Sequence, residues 1–385
     1  MAGSIAGQEF PTTQNTTPTG DTATGGFERR NVLRALGIGG GAALAATALA
    51  ACGSSRNSNT SSGAIGDFPK TSAWKFAFIN HVTTNSFFAP TQSGMKDAAD
   101  LLGLPAPSWT GSETGVVSEM VSAFETAISA GVDGIAIPLT DANAFIAPTK
   151  AALNAGIPVI AYNASASGNY PLTYVGQDLY QSGYQMGTKI ASEVTSGTIL
   201  VGISQPGALN VQPRLDGLTA ALKVLAPSVV VKSVNTGAAQ ADELNAIESA
   251  YQGDKSVKGV YAVDAGTTES IAQMITKYGI SGQVHAGGFD LLADTITGVK
   301  SGAMDFTIDQ SAYLQGFLPV LYMFMYRMTG TLVFPPATDT GLTFVTSSNV
   351  DPYASAKSWI EGGANRQTIA MPSSIGLPAA TSVQS

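Results

Sequence analysis

Few side chains in this sequence are equipped for covalent or metal chemistry. The chain of 385 residues has one cysteine, Cys52, and two histidines, His81 and His285. One cysteine excludes a disulfide framework. Two histidines are too few for a catalytic zinc site, where several imidazole or carboxylate ligands converge on one ion. No G-x-S-x-G elbow, H-E-x-x-H pair or phosphate-binding P-loop is present. Gly111-Ser112-Glu113-Thr114-Gly115 has flanking glycines at the wrong spacing for an elbow and reads as loop. Gly37-Ile38-Gly39-Gly40-Gly41-Ala42 spells the letters of a dinucleotide fingerprint, but no strand precedes it and no βαβ unit surrounds it. Each histidine could pair with a nearby acid, yet a lone histidine at a strand end is more often structural or a ligand contact. The expectation is a protein that binds without turnover, uses no cofactor and holds no metal.

The charge balance narrows the partners. Acidic residues number 27 against 19 basic, a net charge of −8. Only 12 % of residues are charged, where an average soluble protein has roughly 25 %. Nucleic acid is not expected as a partner, because binding it needs a basic stripe that displaces counterions from phosphates. With 44 % apolar residues a large core can be buried.

Ahead of that core lies a leader. Residues 1–26 are rich in Thr, Gly, Ser and Gln without periodicity. Glu28-Arg29-Arg30-Asn31-Val32-Leu33-Arg34 then leads into an uncharged Ala- and Gly-rich run over 35–51. That run falls short of the about 20 strongly apolar residues of a membrane span. A charged stretch, a short apolar stretch and small residues at its end make an export signal. The arginine pair resembles the twin-arginine motif. Leu49-Ala50-Ala51-Cys52-Gly53 resembles the bacterial lipobox, which implies cleavage after 51, diacylation of Cys52 and anchoring on the outer face of the cytoplasmic membrane. The expected layout is a signal peptide over 1–51, then the lipidated cysteine and a flexible tether over 52–70.

The elements that must position any site begin near Trp74. Residues 74–79 alternate and then run apolar, as a buried strand does. Val117, Met120, Val121, Phe124 and Ile128 share one helical face. Short apolar runs recur over 134–139, 159–162, 198–203, 229–234, 259–263, 284–287 and 305–308. Helical stretches separate them, for example Leu244, Ile247 and Tyr251, and a long apolar helix is expected over 313–328. Strands alternating with helices imply a parallel sheet covered on both faces. Roughly ten strands exceed one small sheet of this type, and a break over 169–178 divides them. The expected fold is α/β, two similar doubly wound parallel-sheet domains joined by a hinge. Ligands of such sheets bind at the carboxyl ends of the strands, here the cleft between the domains. The N-terminal lobe is expected over 71–177 plus 311–345, the C-terminal lobe over 178–310 plus 346–370, and a tail over 371–385. Asp141 and Asp178, lone aspartates at strand ends, read as helix caps.

Several short motifs carry a resemblance. They are Asn85-Ser86-Phe87-Phe88, Gly131-Val132-Asp133-Gly134-Ile135 and Pro138-Leu139-Thr140-Asp141, then Ala155-Gly156-Ile157-Pro158-Val159-Ile160 and Gly287-Gly288-Phe289-Asp290. In this order and spacing, from 74 to 345, the chain resembles the type I periplasmic solute-binding proteins of ABC sugar importers, in their ribose-binding-like branch. The resemblance implies a monomer that holds a small sugar or polyol between its lobes and delivers it to a permease with a cytoplasmic ATPase. It assigns ligand contacts to Asn80 or His81, Asn85, the aromatic pair Phe87 and Phe88, Asn163, Gln212 with Arg214 two residues on, Asp264, Phe289, Asp290 and Gln310. Such a mixture suits the ligand. Each hydroxyl both donates and accepts, so a dry pocket must offer both kinds of partner, and flat rings suit weakly apolar sugar faces. Asp290 is expected to be ionised and to accept ligand hydroxyls, the alternative being a cap on a helix starting near Leu291.

The departures shape the ligand expected. Asn163 stands where ribose binders have aspartate, and Ala164 where an arginine follows. Gln212 replaces a second arginine, and Ala238 lies near a usual aromatic. With both family arginines lost, a small polyol is favoured, a tetritol or pentitol such as threitol or xylitol, with a pentose close behind. A surface receptor for a signalling sugar and a secreted carbohydrate enzyme are the alternatives. A sugar-responsive repressor of the same fold would carry an N-terminal helix-turn-helix where this chain has an export signal.

Overall fold

The short apolar runs form strands because helices cover both of their faces. The structure, a computed structural model, describes residues 71–331 and 334–355. The expected signal peptide, Cys52, the tether and the stretch from 356 to 385 lie outside the described residues. The first lobe runs β1 (Phe76–Asn80), α1 (Ala89–Leu102), β2 (Ser108–Gly111), α2 (Val117–Ser129), β3 (Gly134–Ile137), α3 (Ile146–Asn154), β4 (Val159–Tyr162) and β5 (Thr173–Gly176). The second runs α4 (Leu179–Glu193), β6 (Ser196–Ile203), α5 (Gln212–Leu225), β7 (Ser228–Asn235), α6 (Gln240–Gly253), β8 (Gly259–Ala262), α7 (Ala265–Tyr278), β9 (His285–Phe289), α8 (Ala293–Ser301) and β10 (Phe306–Asp309). Then α9 (Ala312–Thr329) and β11 (Ala337–Asp339) return to the first lobe, and β12 (Thr343–Val345) ends in the second.

Each lobe holds one six-stranded sheet. The orders are β11-β5-β4-β3-β1-β2 and β12-β10-β9-β8-β6-β7, the same winding in both. Every pairing is parallel except β10 with β12. In the first sheet Phe78, Ile79, Ile135, Ile160 and Tyr162 lose all contact with solvent. Two doubly wound domains are therefore present as expected.

Glycines bring the helices on one face of each sheet into backbone contact. A Cβ on Gly94 of α1 would lie 2.1 Å from the Tyr313 carbonyl oxygen of α9. A Cβ on Gly183 of α4 would lie 2.0 Å from the carbonyl oxygen of Arg214 in α5. The second contact fixes the start of α5, where Arg214 sits.

Two boundaries differ from expectation. The first lobe was expected to reach 345, yet β12 pairs with β10 of the second sheet, so the last crossing lies between 339 and 343. The parallel strands point their carboxyl ends at the interlobe boundary, and a segment leaving that boundary must run antiparallel to them. β12 does so, with Val345 fully buried and Phe344 edge-on to Phe306 at 5.5 Å. Within the 169–178 break, Thr173–Gly176 is strand β5, paired to β4. The chain crosses between lobes directly after it.

Candidate functional site

Both sheets turn the carboxyl ends of their strands toward one cavity lined from both lobes. From the first lobe come the turns after β1 and β4. His81 follows β1 and is buried; desolvation pushes its pKa down to about 4, so the ring is neutral at pH 7. Its Nε2 lies 3.1 Å from Asn210 Nδ2 of the second lobe, and its Nδ1 has no hydrogen-bond partner among the described residues. Asn85 caps the single 3-10 turn Ser86–Phe88, its Oδ1 accepting from Phe87 N–H at 2.9 Å. That turn sets Phe87 and Phe88 edge-to-face at 4.6 Å. Phe87 is half-buried; Phe88 is buried against His81 and Trp109, so it is core on one side and cavity wall on the other. Asn163 follows β4 at φ 61°, a left-handed conformation asparagine tolerates better than most residues.

The second lobe supplies the charge. Arg214 in the first turn of α5 is buried, its guanidinium 4.1 Å over the Phe289 ring. It donates to Val263 O at 3.1 Å and to Gln177 Oε1 at 3.3 Å, while Nε finds no partner among the described residues. Burial lowers its pKa, and Asp290 and Asp264 oppose that. Asp264 begins α7 as its cap, taking Thr267 N–H on one oxygen and Ser204 N–H on the other, each at 2.9 Å. Burial pushes its pKa up, against those N–H groups. Asp290 sits at φ 77° after β9, with Gln310 Nε2 2.7 Å from its Oδ1. Burial pushes it up to about 7, with Arg214 and Gln310 pulling the other way. Burial thus opposes the expected ionised form, while the Arg214 charge and the Gln310 amide favour it. It caps no helix, since α8 begins at Ala293 without a side-chain cap. Asp178 does cap α4, and Asp141 takes the N–H groups of Asn143 and Ala144.

Of the twelve expected contacts, nine line the cavity and three do not. Asn80 is fully buried and spends its amide on Tyr162 Oη and Val82 N–H, holding the turn after β1. Gln212 binds Gly207 N–H and Asp216 Oδ1 on the outer side of the same turn as Arg214. Phe289 is fully buried beneath the guanidinium as its platform. Arg214, two residues beyond Gln212, is the arginine that enters the cleft.

Sequence reasoning missed Glu243 and Asn210. Glu243 lines the cavity and is 2 % exposed, on the α6 stripe Glu243-Ile247-Tyr251. The stripe had been assigned through Leu244, which is only half-buried. An acid four residues before Ile247 on that buried stripe was the available signal. Its pKa is pushed up to about 9, first by burial and then by Asp264.

Side chains tie the cavity to all three crossings. Gln177 after β5 accepts from Arg214 and donates to Gly341 O at 3.1 Å. Gln310 after β10 donates to Asp290, and its carbonyl accepts from Thr340 Oγ at 2.8 Å. Gln315 of α9 joins Gln310 to Asn163. The lobes also touch across the cleft, through Asn210 to His81 and through Leu209 N–H to Thr140 O at 2.9 Å.

A buried cavity between two doubly wound lobes, with donors and acceptors on both walls, defines a two-lobed small-molecule binding protein. Residues 76–329 match the family model described as periplasmic binding protein domain, and the chain belongs to that family. Over 304 residues it is 45 % identical to the xylose/arabinose-binding protein XylF of Sulfolobus acidocaldarius, covering 75 % of each chain. Among solved structures, a solute-binding protein of an ABC transporter from Burkholderia graminis in complex with D-arabinose superposes with a TM-score of 0.68. It is 25 % identical, over 74 % of this chain and 99 % of that one. A carbohydrate-transporter solute-binding protein from Agrobacterium radiobacter, also with D-arabinose, gives 0.69 at 22 % identity, over 74 % and 99 %. All three are named as binding proteins, and the two solved structures as components of transporters.

Proposed function

We propose that this protein captures a pentose in the interlobe cleft and presents it to an ABC permease with a cytoplasmic ATPase for import. On this reading it works as a monomer outside the cytoplasmic membrane, anchored through lipid on Cys52. The observation that carries the reading is Arg214, held over Phe289 with Asp264 and Asp290 acting on it. A guanidinium's fixed fork suits the ring oxygen and anomeric hydroxyl of a cyclic sugar, which an open-chain polyol lacks. The 45 % identical relative, named for xylose and arabinose, supports the same class. A pentitol stays as second reading because Ala164, where the resemblance puts an arginine, leaves the cleft with one such fork instead of two, and Ala238 removes an aromatic face. Calorimetric titration with D-xylose, D-arabinose, xylitol and threitol separates them. Tighter binding of the two aldoses is expected; tighter binding of either alditol overturns the pentose reading.

A further inference from the structure

Glu243 has a place in the cleft but no partner that a charged carboxylate could use. No N–H or O–H among the described residues reaches its Oε2, which lies against Gly266; a Cβ there would be 2.0 Å from it. The acid acting on it most strongly is the Asp264 carboxyl, two residues before the Gly266 that Oε2 lies against. Two carboxylates repel, and a hydrogen bond between carboxyl groups exists only when one carries a proton. Asp264 already accepts two backbone N–H groups, which favour its ionised form, whereas Oε2 of Glu243 accepts none among the described residues. The proton therefore belongs mainly to Glu243.

We propose that Glu243 is a specificity-determining residue of the cleft, a neutral acid that gives its proton to Asp264 and offers its remaining oxygen to a hydroxyl of an uncharged polyhydroxy ligand. Resting on the sugar-binding reading above, this gives the second-lobe wall an acceptor without adding a third negative charge beside Asp264 and Asp290. The titratable groups acting on Glu243 are Asp264 and Glu269 of α7 and Asp242 of its own helix, all acidic. Their charges and its burial both hold the proton in place. Losing it would set an unpaired anion in a dry cavity, which opposes closure around a ligand.

The test is titration of the full protein with D-xylose and D-arabinose from pH 7 to pH 10.5, with melting temperatures recorded at each pH. Wild-type affinity is expected to fall above pH 9, approaching tenfold per pH unit for one linked proton. Glu243→Gln, an uncharged isostere, should flatten that fall. Glu243→Ala should bind at least tenfold more weakly than Glu243→Gln at pH 7. A wild-type slope that Glu243→Gln leaves intact, or Glu243→Ala as tight as Glu243→Gln, overturns the assignment. If wild type binds neither pentose, the pentose reading fails by itself. The melting curves then still report the shared proton, because Glu243→Gln should be less sensitive to alkali than wild type.

Discussion

Asp290 concentrates the chemistry of a single residue. It is buried, contacts Gln310, and has Arg214 as its nearest opposing charge. A hydrogen bond to a charged group contributes roughly 1.5–3 kcal/mol, and about 1.4 kcal/mol is tenfold in affinity. Asp290→Ala should weaken pentose binding about ten- to a hundredfold, and Asp290→Asn less, since an amide still accepts one bond. The melting point of the ligand-free protein should move little, because this carboxyl caps no helix and its ionised form is opposed by burial. Calorimetry beside thermal melts decides the matter. A fall in melting point with affinity intact would make Asp290 a structural residue. Its place in the cleft was legible in the Phe-Asp dipeptide; the burial that raises its pKa was not, because that depends on distant residues closing over it.

Among the elements, the α4–α5 pair positions the cationic side of the cleft. Gly183 lets the helices touch, and the atom it meets is the carbonyl oxygen of Arg214 itself. Gly183→Ala forces a methyl into a contact of 2.0 Å against backbone, which cannot rotate away as a side-chain tip could. Overpacking of this kind typically costs about 1–3 kcal/mol. Both the melting temperature and pentose affinity should drop, since shifting the first turn of α5 moves the guanidinium off Phe289. Ala at the equivalent contact of the first lobe, Gly94→Ala, should lower stability without the same loss of Arg214 geometry. If Gly183→Ala melts lower yet binds as wild type, α5 tolerates the shift and the glycine serves packing alone.

At the scale of the whole molecule, the buried acids set an unusual response to pH. Glu243 and Asp290 bind protons more tightly folded than unfolded, to about 9 and about 7 against ordinary values near 4. Their contribution is fully present below the unfolded pKa and is lost as pH rises through the folded values. His81 runs the other way: with its folded pKa down at about 4, stability falls as pH drops from 6.5 toward that value. The ligand-free protein should therefore melt progressively lower between pH 6.5 and pH 9.5. A melting temperature that climbs over this interval would contradict the burial of these carboxyls. Attachment belongs to the same scale. Cys52→Ala should release the protein from the membrane fraction while the purified variant still binds pentose; unchanged fractionation would remove the lipid anchor from the proposed function.

The periodic parts of the fold were readable in advance because both sheets are buried on two faces, so their central strands are plain apolar runs. Val159–Tyr162 and the long α9 illustrate this. Edge elements gave no such signal. β2 alternates between exposed and half-buried positions, and β11 and β12 are three residues each, held by neighbours from elsewhere in the chain. The site divided along a similar line. Residues one step beyond a buried strand, such as His81, Asn163 and Asp290, could be named from the sequence, because strand ends of a doubly wound sheet must face its ligand. Which neighbour each one meets was decided only by tertiary structure. Asn80 turned inward to Tyr162, Phe289 became a platform, and Arg214 rather than Gln212 entered the cleft. Glu243 and Asp264, 21 positions apart, came to line the same cavity. Sequence periodicity records which face of an element is dry, whereas the neighbours of a buried charge depend on distances that exist only once its lobe has folded.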